Sequence, residues 1–241
     1  MKLSEVLYNM GRDVIIACDF PSAEVLRNFL PQFGDRHPFL KIGMEMFYSE
    51  GPRLVRELKD EGYRIFLDLK LHDIPNTVKR SMAVLRGLGV DMTNVHAAGT
   101  KAMMQAAAEG LTAPDGTRPL LIAVTQLTST DETALHNELL IEKSMADTVS
   151  AYAKNAAEAG LDGVVCSPLE AAGVHELCGK SFLTITPGVR FADSDKGDQK
   201  RIMTPAQAKA AGSDYIVVGR PITAASDPVE SYDRCVKEFC G

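Results

Sequence analysis

The chain has 241 residues, 45% hydrophobic and 24% charged, with a formal net charge of -6. That length suits one domain of about 250 residues, the size usual for a barrel of alternating strands and helices, and the acidic balance without a long basic run argues against a nucleic-acid surface. No apolar run reaches the ~20 residues of a membrane span and the N-terminal segment lacks the apolar core of a signal peptide. Cys18, Cys166, Cys178, Cys235 and Cys240 form no Cys-x-x-Cys pair and are odd in number, which fits packing residues in a reducing compartment. A cytoplasmic protein is expected, with neither nucleic acid nor membrane as a partner.

After a short N-terminal lead-in, residues 14–19 predict a first strand with Ile15, Ala17 and Asp19 on one face. Ser22 is a good N-cap for the helix that follows, with Glu24 in its first turn. Residues 39–43 predict a second strand, and residues 52–61 a helix with Leu54, Val55 and Leu58 on its apolar side. The third strand begins at Arg64-Ile-Phe-Leu and runs into Asp68-Leu-Lys70-Leu-His72-Asp73-Ile74-Pro75. Pro75 suits the first turn of a helix reaching about Leu88, with Val78, Met82 and Leu85 at helical spacing.

Residues 92–96 form a fourth strand, followed by a Gly99-led helix in which Met103 and Met104 read as core filler. Residues 120–126 are a fifth, followed by a polar stretch holding Thr128 and a helix from about Ser144 to Ala159. Residues 163–166, 182–186 and 215–219 give the sixth, seventh and eighth. Strand and helix thus alternate about eight times, which predicts a single-domain α/β fold, a (β/α)8 TIM barrel, although a doubly wound sheet has the same periodicity. Gly160-Leu-Asp162 and Gly212-Ser-Asp214 recur as helix ends feeding strands. One connection, about 187–201, is long and charged for its place and reads as a mobile lid.

In such a barrel the loops at the carboxyl ends of the strands build the site. Asp19, Lys41, Asp68, Lys70, Thr128, Arg190 and Gly219 all fall at or just after those ends, whereas charges scattered for solubility would lie on helices. Regular alternation places Asp68 and Lys70 on one face with Phe66, opposite Leu67, Leu69 and Leu71. Two opposite charges at the mouth of an oily strand are costly to desolvate unless they serve each other or a ligand, and on these residues alone a structural ion pair remains an alternative. Gly188 and the Gly219-Arg220 pair stand where barrels commonly hold phosphate, with Arg220 as the residue for a dianion. His72 and His96 have no metal-ligand spacing and read as structural. No Walker loop, dinucleotide fingerprint or nucleophile elbow is present.

Several of these stretches, Ala-Cys-Asp19-Phe, Lys41-Ile-Gly-Met-Glu, Asp68-Leu-Lys70-Leu-His-Asp73-Ile-Pro, Thr125-Gln-Leu-Thr128-Ser, Thr186-Pro-Gly-Val-Arg190 and Val-Val-Gly219-Arg220, together resemble the orotidine 5'-phosphate decarboxylase family. The resemblance runs in order from about Val14 to the last helix. It implies decarboxylation of orotidine 5'-phosphate to UMP without a cofactor or metal. Lys70 would stabilise and protonate the C6 carbanion, Asp68 would lie near the departing carboxylate, and Lys41 and Asp73 would complete an alternating charge array. It further implies that Asp19 and Lys41 hold ribose hydroxyls, Thr128 the pyrimidine edge, and Pro187, Arg190 and Gln199 a closing loop over the nucleotide. Asp73 lies past the strand, poorly placed to reach its own Lys70. The resemblance implies that Asp73, Ile74 and Thr77 cross a two-fold interface into the partner's site, in a homodimer with shared active sites. Two other readings stand beside it: a metal-dependent decarboxylase or aldolase of sugar phosphates with Asp68 on Mg2+, and a catalytically silent sensor of UMP.

Overall fold

Eight parallel strands close into a barrel in chain order: β1 Asp13–Ala17, β2 Phe39–Gly43, β3 Ile65–Leu71, β4 Met92–His96, β5 Leu120–Val124, β6 Gly163–Val165, β7 Leu183–Thr186 and β8 Tyr215–Val218. The computed structural model describes residues 11–192 and 203–241. β8 pairs back onto β1, with Ile15 opposite Val217, so the sheet has no edge and the doubly wound alternative falls. Helices α1 Ala23–Phe29, α2 Met44–Asp60, α3 Pro75–Arg86, α4 Thr100–Leu111, α5 Glu132–Asn137, α6 Met145–Glu158, α7 Ala171–Cys178, α8 Pro205–Ala210, α9 Arg220–Thr223 and α10 Pro228–Phe239 follow in order.

Alternation along the strands divides the apolar side chains into two cores. Ile15, Ala17, Phe39, Phe66, Met92, Ile122, Ile185, Tyr215 and their neighbours fill the inside of the barrel. A larger set, including Leu67, Leu69, Val95, Met103 and Met104, packs between strands and helices. α3 buries Val78, Met82 and Leu85 as its spacing predicts, with Pro75 in its first turn. α3 and α4 press so closely that a Cβ on Gly110 would lie 2.0 Å from the Lys79 carbonyl oxygen.

Some elements were not legible. α2 starts at Met44 rather than Pro52, because a turn of helix runs straight off β2 before Gly51, at φ 72, interrupts it. The Gly-Pro pair marks a helix start and hides the turn before it. α5 lies in the stretch read as a polar loop; it is six residues long, too short for periodicity, and is capped by Asp131, whose side chain accepts the Ala134 amide at 2.9 Å.

The recurring Gly-x-Asp has a structural explanation at the amino-terminal end of the barrel. Gly89, Gly160 and Gly212 take positive φ (70°, 83° and 91°), turning the chain into β4, β6 and β8. The aspartate two residues on reaches back to an amide at the start of the preceding strand: Asp91 to Ile65 N at 2.7 Å, Asp162 to Leu121 N at 2.8 Å, Asp214 to Thr184 N at 2.8 Å. Each carboxylate also meets a basic side chain, Lys59, Arg118 and His175 respectively. Across β2, Arg64 pairs with Asp13 and lies over the Phe39 ring.

Candidate active site

The carboxyl ends of the strands surround a cavity of about 570 Å³, a size suited to a small ligand. Asp19, Lys41, Asp68 and Lys70 form its charged floor, residues 126–129 one wall, and Pro187, Gly188, Arg190, Gly219 and Arg220 another. The residues singled out at the ends of β1, β2, β3, β5, β7 and β8 are thus brought together. Gln199 lies outside the described residues.

The floor is a row of alternating charge. Lys41, on β2, places Nζ 3.0 Å from Asp19 Oδ1 and 3.3 Å from Asp68 Oδ2, and Lys70 Nζ lies 2.7 Å from Asp68 Oδ1. Lys41 and Asp68 are only 8% and 7% exposed. Burial works against the Lys41 ammonium, but Asp68 and Asp19 outweigh it and hold the group above its usual value. Burial also works against the Asp68 carboxylate, yet Lys41, Lys70 and the bonds from Lys70 and Asn94 keep it below the ordinary range. Gly43 makes room for the row, since a Cβ there would sit 3.1 Å from Asp19 Oδ1 and 3.2 Å from Lys41 Nζ.

Lys70 does not arrive by regular alternation. The β3–β4 register passes from Leu67 opposite Thr93 to Leu71 opposite Val95, so Asp68, Leu69 and Lys70 face the single residue Asn94 in a bulge. Lys70 takes φ 50, the left-handed region that costs a non-glycine residue roughly 1–2 kcal/mol. The face assignment holds, with Phe66, Asp68 and Lys70 at the cavity and Leu67, Leu69 and Leu71 in the opposite core, but it is reached through an irregular stretch of strand instead of a regular ladder.

Asn94 was missed by sequence reasoning. It is 1% exposed, its Oδ1 accepts the Lys70 amide at 2.8 Å and its Nδ2 donates to Asp68 Oδ1 at 2.7 Å. The available signal was a polar residue two past the inward Met92 in a buried strand. His96, next on that face, has its ring centroid 5.8 Å from that of His72; burial, His72 and Lys70 lower its pKa.

Thr128 is buried at the cavity wall and Arg220 is exposed at its rim. Arg190 lines the cavity but is 9% exposed; its Nη1 donates to Val189 O at 2.8 Å and its amide to Met203 O at 3.0 Å. It thus stands beside the point where the two ends of the long connection meet. Asp73, Ile74 and Thr77 are exposed and do not line this cavity, and Asp73 Oδ1 accepts its neighbour Ile74 N at 2.6 Å. Among the described residues no three His, Cys, Asp or Glu side chains gather as a metal cluster, and no helix is long and apolar enough to cross a membrane.

Residues 12–235 match the model of the Orotidine 5'-phosphate decarboxylase / HUMPS family. A protein of Bacillus caldolyticus named orotidine 5'-phosphate decarboxylase is 56% identical over 235 residues, covering 96% of each chain. The crystal structure of orotidine 5'-phosphate decarboxylase from Lactobacillus acidophilus, 45% identical, superposes with a TM-score of 0.86 over 95% of this chain and 100% of the other. That from Pyrococcus horikoshii OT3, at 24% identity and a TM-score of 0.75 over 95% and 99% of the two chains, shares the fold.

Proposed function

The chain belongs to the orotidine 5'-phosphate decarboxylase / HUMPS family, and from that premise we propose how its charged floor carries out the reaction. It is a carboxy-lyase that converts orotidine 5'-phosphate to UMP and CO2 in pyrimidine biosynthesis. When the C6 carboxylate leaves as CO2, the bonding pair remains on C6. Lys70 stabilises that pair as an ammonium, then gives C6 a proton and is reprotonated from solvent, so no cofactor or metal is needed. Asp68 faces the departing carboxylate, and Lys41 holds Asp68 charged and in place. The observation that carries this reading is the Lys70 ammonium 2.7 Å from a buried carboxylate on the floor of a ligand-sized cavity.

Binding divides along the rim. Arg220, Gly219 and Gly188 take the phosphate, Asp19 and Lys41 the ribose, Thr128 the base, and Pro187, Arg190 and Gln199 belong to the connection that closes over the nucleotide. The protein acts as an isologous homodimer in the cytoplasm, with Asp73, Ile74 and Thr77 completing the partner's site. Their exposure, 66% for Ile74, and their absence from the lining of their own chain's cavity support this. Five free cysteines support a reducing compartment.

The test is turnover of orotidine 5'-phosphate after EDTA treatment, by wild type and Lys70→Ala. Wild type should stay active, while Lys70→Ala should bind UMP but lose ~10²-fold or more in kcat. Loss of wild-type activity to EDTA points to the metal-dependent reading, and a fall of only a few-fold in Lys70→Ala removes Lys70 from its role.

A further inference from the structure

We propose that Asn94 is a positioning residue for the decarboxylation: its carboxamide ties the Lys70 backbone to the Asp68 carboxylate and so sets where the Lys70 ammonium points. The inference rests on the reading that Lys70 and Asp68 carry the chemistry.

Both ends of Lys70 are held through the same two side chains. Its amide donates to Asn94 Oδ1 at 2.8 Å, Asn94 Nδ2 donates to Asp68 Oδ1 at 2.7 Å, and that same oxygen accepts Lys70 Nζ at 2.7 Å. The three bonds close a ring. It forms where the β3–β4 ladder is out of register and Lys70 sits at φ 50, so Asn94 supplies the acceptor that a regular ladder would have given. An asparagine fits this place because it offers an acceptor and a donor in one fixed plane, and here each finds its match inside the barrel.

The arrangement bears on the reaction more than on binding. Asp68 has two donors on Oδ1, while Lys41 lies 3.3 Å from Oδ2, so the carboxylate cannot turn without breaking bonds. As Lys70 yields its proton to C6, its bond to Asp68 weakens. Asn94 and Lys41 keep the carboxylate in place, and the bulge keeps the lysine stem aimed. A residue that preserves the geometry of the reacting groups should affect kcat and leave the affinity for product largely unchanged.

The experiment compares Asn94→Ala, Asn94→Asp and Lys70→Ala with wild type, counting competent sites by calorimetric titration with UMP. UMP has no carboxylate at C6, so its binding does not report on Asp68. Both Asn94 variants should bind about one UMP per chain, with KM within about 3-fold of wild type and kcat per competent site at least ~30-fold lower. Asn94→Asp should be no better than Asn94→Ala: its side chain still accepts the Lys70 amide but meets Asp68 with like charge. A kcat within about 3-fold of wild type in either variant overturns the proposal. Lys70→Ala with near-normal turnover overturns the underlying reading instead, whereas an inactive Lys70→Ala beside a near-normal Asn94→Ala overturns the role of Asn94 alone. Should both Asn94 variants fail to fold, a crystal structure of the wild type decides: Asn94 Nδ2 beyond hydrogen-bond reach of Asp68 refutes the ring, and its presence there sustains it.

Discussion

Lys41→Met should unfold at a markedly lower temperature than wild type. Its Nζ lies within 3.0 and 3.3 Å of two carboxylates, Asp19 and Asp68. The Asp19 side chain is 58% exposed and loses little when its partner goes. Asp68 is buried and keeps only Lys70 and Asn94. Breaking a buried pair typically costs 3–5 kcal/mol, so with two partners left about 3 kcal/mol is expected. For a chain of this size that corresponds to roughly 6–12 °C in Tm. The sign with pH follows from the shifts. The folded pKa of Asp68 is depressed, so its contribution is present above its unfolded value and is lost only as pH falls through the lower folded one. Lys41 is raised, so its contribution is present below its unfolded value and is lost as pH rises through the higher folded one. The deficit should therefore be flat between about pH 6 and 9. Adding Asp68→Leu should lower stability further and leave no activity, because it takes the acceptor away from the Lys70 ammonium and from the buried Asn94 Nδ2. Scanning calorimetry at fixed protein concentration, paired with turnover assays, reads both. A Lys41→Met within about 2 °C of wild type, or a deficit that changes steeply near neutral pH, refutes the reasoning.

Arg220→Ala should lower kcat/KM for orotidine 5'-phosphate by ~10²-fold or more and leave the unphosphorylated nucleoside within about 3-fold, because phosphate binding energy positions the ring; equal losses on both substrates mean Arg220 does not serve the phosphate. Lys70→Ala and Asp73→Ala homodimers should each be nearly inactive. Mixed and exchanged, half the dimers carry one intact site, so about a quarter of wild-type activity returns; demonstrated exchange without recovery places Asp73 in its own chain's site. Gly43→Ala should fold normally at φ -89, ψ -177, but its Cβ shifts the Lys41–Asp19 pair by a few tenths of an ångström and lowers kcat roughly tenfold. An unchanged kcat would show that the pair tolerates the displacement.

The barrel was legible because a closed parallel sheet needs eight strands at regular spacing, and eight short stretches alternate with helices along the chain, the most apolar of them at residues 14–18, 39–43, 120–124 and 215–218. Lys41 and Asp68 stood out as charges where a strand should be apolar. Asn94 stood two past the inward Met92, yet a neutral amide in a buried strand gives no sign of its partners until the facing strand is known to bulge. The bulge itself has no local mark: no glycine or proline occurs between Asp68 and Lys70, and the left-handed turn at Lys70 is accompanied by partners on another strand. α5 escaped notice for the opposite reason, a cap with too little helix after it to show a period.

The carboxylate clasps at the amino-terminal end join β3 to β4, β5 to β6 and β7 to β8, each within one continuous piece of chain. The two described ends of the chain also meet, with Cys240 Sγ 3.3 Å from the Arg12 carbonyl oxygen. A circular permutant can therefore be opened between β4 and β5 or between β6 and β7 without separating any clasped pair. Opening inside a pair, between β5 and β6 for example, makes Asp162 and Leu121 find each other across the whole length of the rearranged chain, and such permutants should refold more slowly.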